Sequence, residues 1–222
     1  MAFGNENLTD RKPTYLILAL DIIFSNRNGQ MKYIIIITLL AINLIKAEGI
    51  RSDVEEILQS EFPAHSTITM QKYEMPSDLK VQTEKQVQQR FFKDYVYLWK
   101  ICMTDSIAGY AMLDNTYGKS LPITFLVIFS PEGEIRRMDI IRYREPYGGA
   151  IGSRRWLDQF IGKSTDDNFK VEYDIDTISG ATISVQSVTQ AAHKLVLVIN
   201  QLISSDSFRC EHKPHRAESK AK

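Results

Sequence analysis

The feature that most constrains the fold of this chain is a long periodic segment near its C-terminal end. Apolar residues recur there at steps of three and four, which is the spacing of one face of an α-helix. The residues of this stripe are Val185, Val188, Ala192, Leu195, Ile199 and Leu202. Because a helix with one apolar stripe must bury it, the segment predicts a helix packed against a sheet.

The nine residues at 176–184 connect a polar loop to the start of this helix and read Asp-Thr-Ile-Ser-Gly-Ala-Thr-Ile-Ser. A helix start carries unpaired backbone N–H groups and a partial positive charge, which favour a phosphate. Gly180 and Ala181 are small and keep the approach open, and glycine permits unusual turn conformations. The hydroxyl of Thr182 is then placed to bond to such a phosphate. An ordinary N-cap with a turn glycine is the competing interpretation.

Before this loop, several segments are predicted to be strands, and residues 94–103 alternate with a period of two. Strands are predicted at 67–73, 94–103, 109–113, 123–129, 135–143 and 169–173, with turn residues at 115–118 and 131–133. The unbroken apolar run 123–129 predicts a central strand with both faces covered. Sequential strands joined by tight turns indicate a mainly antiparallel sheet. With helices before and after it, the class is α+β in a single domain.

Shorter helices are predicted elsewhere, at 52–62, 77–92 and 154–160. Ser52 with Glu55, and Thr83 with Gln86, have the spacing of capping boxes, and Pro63 ends the first helix. Residues 144–153 contain three glycines and one proline, and a loop is predicted there.

The N-terminal region contains an export pattern. Met31 and Lys32 precede the apolar-dominated residues 33–45, and Ala47 offers a small residue for cleavage. This is typical of a secretory signal, and the run is shorter than the roughly 20 residues of a transmembrane helix. We expect cleavage, and an uncleaved membrane anchor is the alternative. Residues 1–30 are then a mis-annotated start, with translation beginning at Met31, or else an extension.

Charge and cysteine usage exclude several classes of protein. Lys and Arg total 27, as do Asp and Glu, so no excess of positive charge indicates nucleic-acid binding. Cys102 and Cys210 are the two cysteines, far apart, which excludes c-type haem, cysteine-ligated iron–sulfur clusters and a zinc finger. They could form a disulfide, but a buried thiol at Cys102 and a free thiol in the tail is the expectation. His212 and His215 accompany Cys210 in that tail, where a disordered end is favoured over a metal site.

The pattern Asp-x-x-Ser-Gly-Ala-Thr-x-Ser at 176–184 resembles the flavinylation motif of FMN-binding domains. The stretches 118–124, 143–149 and 159–163 resemble further landmarks of that domain, in the same order. Such domains occur in the flavin-carrying subunits of sodium-pumping NADH:quinone reductases, in Rnf-type electron-transport complexes and in related secreted flavoproteins. In that family a flavin transferase takes the FMN moiety from FAD and joins its phosphate to the threonine hydroxyl.

The resemblance implies FMN as cofactor, bound covalently to Thr182 through a phosphoester. It implies further cofactor-binding roles for Ser179, Gly180, Ala181, Ser184, Asp176, Glu145, Gly148 and Gly149. No catalytic side chain and no metal site are implied. Stacking of Trp156 on the isoalloxazine is an alternative to core packing, and proton delivery by His193 is an alternative to a partly exposed helix position.

The predicted plan is a signal or anchor at 31–47, helices and a first strand at 48–104, an FMN-binding core at 105–203 and a disordered tail at 204–222. The resemblance implies an exported electron-transfer flavoprotein, periplasmic or on the outer face of the cytoplasmic membrane. It would be a redox carrier or a subunit of an oxidoreductase complex rather than a stand-alone enzyme. A flavin transferase and membrane redox proteins are the implied partners, without nucleic acid. A flavin-free module of the same fold and a self-sufficient flavin reductase are the alternatives, the latter without a G-x-G-x-x-G fingerprint.

Overall fold

The structure, a computed structural model, describes residues 49–205 and Cys210. The chain divides into two units, Met1–Arg51 and Ser52–Lys222, and the second contains the fold described here. The predictions for residues 1–30 and 31–47 lie outside the described residues, as does most of the predicted disordered tail. Within the described part of the chain, no helix is long and apolar enough to cross a membrane.

A five-stranded antiparallel sheet forms the centre of the second unit. Its strands are β1 (Thr67–Glu74), β2 (Tyr95–Met103), β3 (Ser106–Tyr117), β4 (Pro122–Phe129) and β5 (Ile135–Arg142). Each strand pairs with the next one along the chain, in the order β1-β2-β3-β4-β5. The prediction of an α+β fold with a mainly antiparallel sheet is therefore confirmed.

Helices lie before, between and after the strands along the chain. Helix α1 ends at residue 61, and its residues 52–61 belong to this unit. The other helices are α2 (Ser77–Val87), α3 (Arg154–Leu157) and α4 (Thr182–Ser204). Single turns of 3-10 helix occur at Gly149–Gly152, inside the predicted loop, and at Asp158–Phe160, directly after α3. The predicted C-terminal helix is confirmed.

Several predicted boundaries are wrong. Strand β3 continues through the predicted turn at 115–118, and the turn lies at 118–121, where Gly118 N donates to Leu121 O over 2.9 Å. The hydroxyl of Thr124 on β4 donates to Asn115 Oδ1 over 2.7 Å, and this cross-strand bond extends the pairing. The predicted central strand, β4, is an internal strand of the sheet, but the middle strand is its neighbour β3.

The predicted strand at 169–173 is also wrong. Only an isolated bridge between Val171 and Ile175 forms there, because Phe169 and Glu172 adopt left-handed backbone conformations at φ 47° and 70°. A strand needs extended backbone at each residue, and two left-handed residues interrupt it.

Both predicted capping boxes are wrong. Helix α1 is already under way before Ser52, and Thr83 and Gln86 lie inside α2. Helix α2 ends at Val87, earlier than predicted, because Gln88 turns left-handed at φ 55° and its N–H bonds back to Glu84 O.

The apolar stripe of α4 packs on one face of the sheet. Its six residues share one core cluster with alternate residues of β4, among them Phe125 and Val127. Burial of this kind contributes about 25 cal/mol for each Å² of apolar surface, so the stripe fixes where α4 lies. The predicted packing of the periodic helix on the sheet is confirmed.

Helix α1 covers the opposite face of the sheet. The Phe62 ring, just after α1, fills the space in which a side chain at Gly109 of β3 would lie. Asp53 forms an ion pair with Arg142 at the end of β5, and Glu61 lies 3.5 Å from Arg137 near its start. Both faces of β4 are therefore covered, and the strand is buried from Ile123 to Phe129, as predicted.

A buried ion pair joins α4 to β3. Lys194 Nζ, on a fully buried side chain, lies 3.7 Å from Asp114 Oδ2 and donates to Arg90 O over 3.1 Å. It also lies 4.2 Å from the centre of the Phe91 ring. Burial raises the pKa of Asp114 and lowers the pKa of Lys194. Because a buried charge without a partner is costly, this pair restricts how α4 can slide along the sheet.

Cys102 and Cys210 form a disulfide, with their Cα atoms 6.0 Å apart. The expectation of a buried free thiol at Cys102 and a free thiol in the tail is wrong. The sequence suggested that expectation because the two cysteines are 108 positions apart and nothing between them indicates that β2 and the tail meet. The disulfide ties the end of the chain after α4 to the sheet.

Replacing Cys210 by serine should lower the free energy of unfolding by about 2–4 kcal/mol, because a closed loop restricts the unfolded chain. Urea denaturation of oxidised protein measures this loss. The Cys102→Ser variant should lose a similar amount, and a reductant should destabilise the natural chain but neither variant. Equal stability of oxidised and reduced natural protein would contradict a structural role for the disulfide.

Candidate functional site

The first residue of α4 is Thr182, and its N-cap is Ala181. Neither Ser179 nor Thr182 is the N-cap, and the start of the helix has no side-chain capping bond. The interpretation as an ordinary serine or threonine cap is therefore wrong. Gly180 precedes the cap at φ 77°, a conformation that glycine adopts without strain. The first turn of α4 thus presents backbone donors beside an exposed threonine.

A cavity of about 500 Å³ lies against this helix start. Three segments form its walls, namely residues 119–121, 143–147 and 180–184. The first is the turn between β3 and β4, the second follows β5, and the third contains the motif. Its volume falls in the range of small-molecule sites, about 300–1,000 Å³.

Glu145 holds two of these walls together. Its Oε1 accepts hydrogen bonds from the backbone N–H groups of Ser120, over 2.6 Å, and Leu121, over 2.9 Å. These bonds lower the pKa of Glu145, so it is a carboxylate at neutral pH. Gly118 leaves room for this carboxylate, because a Cβ there would lie 2.6 Å from the same oxygen. The Glu145 carboxylate therefore holds the turn at 118–121 by hydrogen bonds, and Glu145 also lines the cavity.

Tyr143 joins the second wall to the motif. Its hydroxyl donates to Tyr147 O over 2.6 Å, and the Ser184 Oγ lies 3.2 Å from the same oxygen. Ser184 is buried within the first turn of α4. Its hydroxyl therefore anchors the loop after β5 to the helix start.

Gly148 makes a close backbone contact with the motif. It has φ 85°, and a Cβ there would lie 2.7 Å from the Ala181 Cβ and 2.8 Å from Tyr143 Oη. At Gly149 the space is open, with no atom within 4 Å of an added Cβ. The two neighbouring glycines thus differ, because only the first must be glycine for the loop to lie on α4.

Asp176 and Ser179 do not line the cavity, and both are exposed. The backbone of Asp176 is fixed instead, because its N–H donates to Gln159 Oε1 and its carbonyl accepts from Trp156 Nε1. Of the nine predicted cofactor residues, five line the cavity, namely Thr182, Gly180, Ala181, Ser184 and Glu145. Gly148 contacts Ala181 without lining the cavity.

Trp156 and His193 lie away from the cavity. Trp156 is buried in the core, edge-on to the Phe160 ring at 5.1 Å, so core packing is its role in this structure. His193 stacks on Phe169 at 4.7 Å, and burial lowers its pKa, which favours the neutral ring. Among the described residues, no cluster of three or more His, Cys, Asp or Glu could hold a metal ion.

A second cavity, of about 930 Å³, lies on the other side of Thr182. Residues 168–173 and the α4 side chains of Gln186 and Gln190 form its walls. Sequence reasoning missed this cavity, because its loop was predicted to be a strand. Leu121, Tyr147 and Ile183 of the first cavity were also missed as lining residues, since no motif marks an exposed apolar side chain.

The model of the FMN-binding domain family matches residues 118–196. Residues 118–196 thus match an FMN-binding domain. The match begins at the turn that Glu145 holds and extends through most of α4, so it covers all three walls of the first cavity. FMN is thus the cofactor of this domain, and the match indicates a role in electron transfer. No curated protein matches the chain.

The residues present fit FMN. A phosphate needs hydrogen-bond donors, and the first turn of α4 has them without a capping side chain. A flavin ring needs an apolar slot, and Leu121, Pro146 and Ile183 line the cavity beside that turn. A cofactor of this kind would thus meet donors and apolar surface in adjacent positions.

Gly148→Ala should destabilise the FMN-binding domain by about 1–3 kcal/mol, because its Cβ would overlap Ala181 at a left-handed position. Gly149→Ala is the matched control and should change the stability by less than about 0.5 kcal/mol. Urea denaturation measures both. If the two alanine variants were equally stable, the contact between the loop and the motif would be unimportant.

Proposed function

We propose that this FMN-binding domain carries its cofactor covalently, with the phosphate of FMN esterified to the Thr182 hydroxyl. The supporting observation is an exposed threonine at the first position of α4, beside a cavity and without a capping side chain. A buried hydroxyl would be out of reach and a capping hydroxyl would already be hydrogen-bonded, whereas the exposed Thr182 hydroxyl is accessible to a modifying enzyme.

Attachment would require a flavin transferase as partner. The Thr182 oxygen would attack the FMN phosphorus of FAD, lose its proton, and release AMP as the pyrophosphate bond breaks. The N–H groups of the first turn of α4 would donate to the phosphate oxygens, and the positive end of the helix dipole would favour their charge. Packing of the α4 stripe on the sheet keeps these donors in position.

FMN, when bound, supplies the electron-transfer chemistry. The walls of the first cavity would orient the ring, with apolar contacts from Leu121, Tyr147 and Ile183. Glu145 and Tyr143 would act indirectly, since their hydrogen bonds hold two walls in place. A carrier that exchanges electrons with a membrane redox protein fits this arrangement.

Export is the second element of the proposal. The Cys102–Cys210 disulfide supports it, because structural disulfides persist mainly outside the reducing cytosol. A covalent tether also suits an exported protein, since a dissociated cofactor would be diluted away. The periplasm or the outer face of the cytoplasmic membrane is the proposed location.

A self-sufficient flavin reductase is the second candidate. The cavity on the other side of Thr182 favours it, because Lys170, Gln186 and Gln190 offer polar contacts to a small electron donor or acceptor. Turnover of flavin by soluble donors without a membrane partner would distinguish this candidate from a carrier.

Co-expression with a competent flavin transferase should raise the intact mass of the protein by one FMN moiety. Thr182→Ala should abolish the increase, because no oxygen remains to form the ester. Thr182→Ser is the matched control and should retain some modification, while Ser184→Ala should leave the attachment position unchanged. An unmodified natural chain, or an FMN adduct on Thr182→Ala, would refute the attachment at this residue.

The proposed export predicts the redox state of the cysteines in the producing cell. Rapid alkylation of whole cells should find Cys102 and Cys210 paired, because an oxidising compartment allows the disulfide to persist. Residues 48–222 produced behind a new initiating methionine should have both thiols free and alkylated. Alkylated thiols in the full chain would contradict export.

A further inference from the structure

We propose that the rim of the first cavity docks on the surface of a lipid bilayer. The rim consists of Leu121, Pro146, Tyr147 and Ile183, which all line the cavity. The flavin-attachment role of Thr182 is a separate proposal, and the docking does not depend on it.

The rim is unusually apolar for an exposed surface. Tyr147 is 79% exposed, Ile183 is 51% exposed and Leu121 is 41% exposed. Isolated exposed apolar residues are normal, but neighbouring ones around one opening indicate an interaction surface. They come from three separate segments, so the fold itself brings them together.

The chemistry of the rim is that of a membrane interface. Tyrosine is enriched at the headgroup level, leucine and isoleucine enter the acyl boundary, and basic residues attract anionic lipids. Lys119 lines the same cavity, and Arg144 is exposed beside it, where it donates to Pro122 O over 2.9 Å. The acidic residue of the wall, Glu145, already accepts hydrogen bonds from two backbone N–H groups.

The chain enters the fold at the same end as the rim. Asp53 of α1 pairs with Arg142, the last residue of β5, and Tyr143 next to it contacts Ser184 at the start of α4. The apolar run at 33–45 enters a membrane during export, whether it is then cleaved or retained. Seven residue steps separate Ile45 from Ser52, which is at most about 25 Å of extended chain. A retained run would therefore hold Ser52, whose neighbour Asp53 lies at the rim end of the sheet, within this distance of the membrane.

The turn between β4 and β5 lies at the opposite end of the fold, where the Asn200 side chain of α4 occupies the space beside Gly133. Docking through the rim would leave this end in water. If the flavin proposal also holds, the cofactor would open toward the lipid, where membrane-embedded or lipid-soluble electron carriers are found.

Site-directed spin labelling of the full chain tests the orientation. A nitroxide would be attached at Tyr147→Cys and, in a second variant, at Ile183→Cys, since the two natural cysteines are paired. Val81→Cys is the matched control, because Val81 is 64% exposed and its neighbour Leu79 lies near Leu202, toward the far end of α4. Each protein is reconstituted in vesicles of phosphatidylethanolamine and phosphatidylglycerol, and relaxation by oxygen is compared with relaxation by a water-soluble nickel chelate.

In vesicles, the ratio of oxygen to nickel accessibility should rise several-fold at the Tyr147 and Ile183 positions and stay unchanged at Val81. The rise should shrink in Lys119→Glu protein, because the anionic headgroups would then repel the rim. The docking would be refuted if both rim labels were accessible to nickel in protein that co-floats with the vesicles. The rim would then be a surface for a protein partner. Failure of the full chain to co-float with the vesicles would refute it as well.

Discussion

The unpaired backbone donors in the first turn of α4 are the constraint on which the site depends. A helix start normally finds an acceptor in a capping side chain, and this one has none. The donors stay in place because the apolar stripe of α4 is buried against β4 and because Lys194 pairs with Asp114 on β3. The buried Trp156 also holds the segment before α4, because its Nε1–H donates a hydrogen bond to the carbonyl of Asp176. Structural contacts far from the cavity thus determine where Thr182 lies.

The cavity beside these donors is assembled by hydrogen bonds between segments distant in sequence. Glu145 holds the turn after β3, Tyr143 contacts Ser184, and Gly148 lies against Ala181. Each contact uses a residue type that few substitutions reproduce: a carboxylate between two N–H groups, a phenol between two partners, and a glycine at positive φ. The motif residues therefore serve two purposes, since Ser184 and Ala181 support the loop while Thr182 stays exposed.

Patterns confined to one segment were predicted well from sequence. The α4 stripe and β1, β2, β4 and β5 follow from local periodicity, and the 176–184 motif led to the family that the comparison supports. Features set by distant contacts were not predicted. The disulfide joins residues 108 positions apart, and the continuation of β3 depends on its pairing with β4. The exposed rim residues have no local signature, and the backbone at Phe169 and Glu172 contradicts an otherwise strand-like sequence.

The central claim is that the first turn of α4 receives the phosphate of a covalently attached FMN. Amide nitrogen and proton shifts of the protein, recorded with and without flavin attachment, test it most directly. We expect the amides of Ile183 and Ser184 to shift strongly, as N–H groups that begin to donate to an anion do, together with a phosphodiester signal in the phosphorus spectrum. Unchanged amides at the start of α4 in fully flavin-loaded protein would contradict the claim.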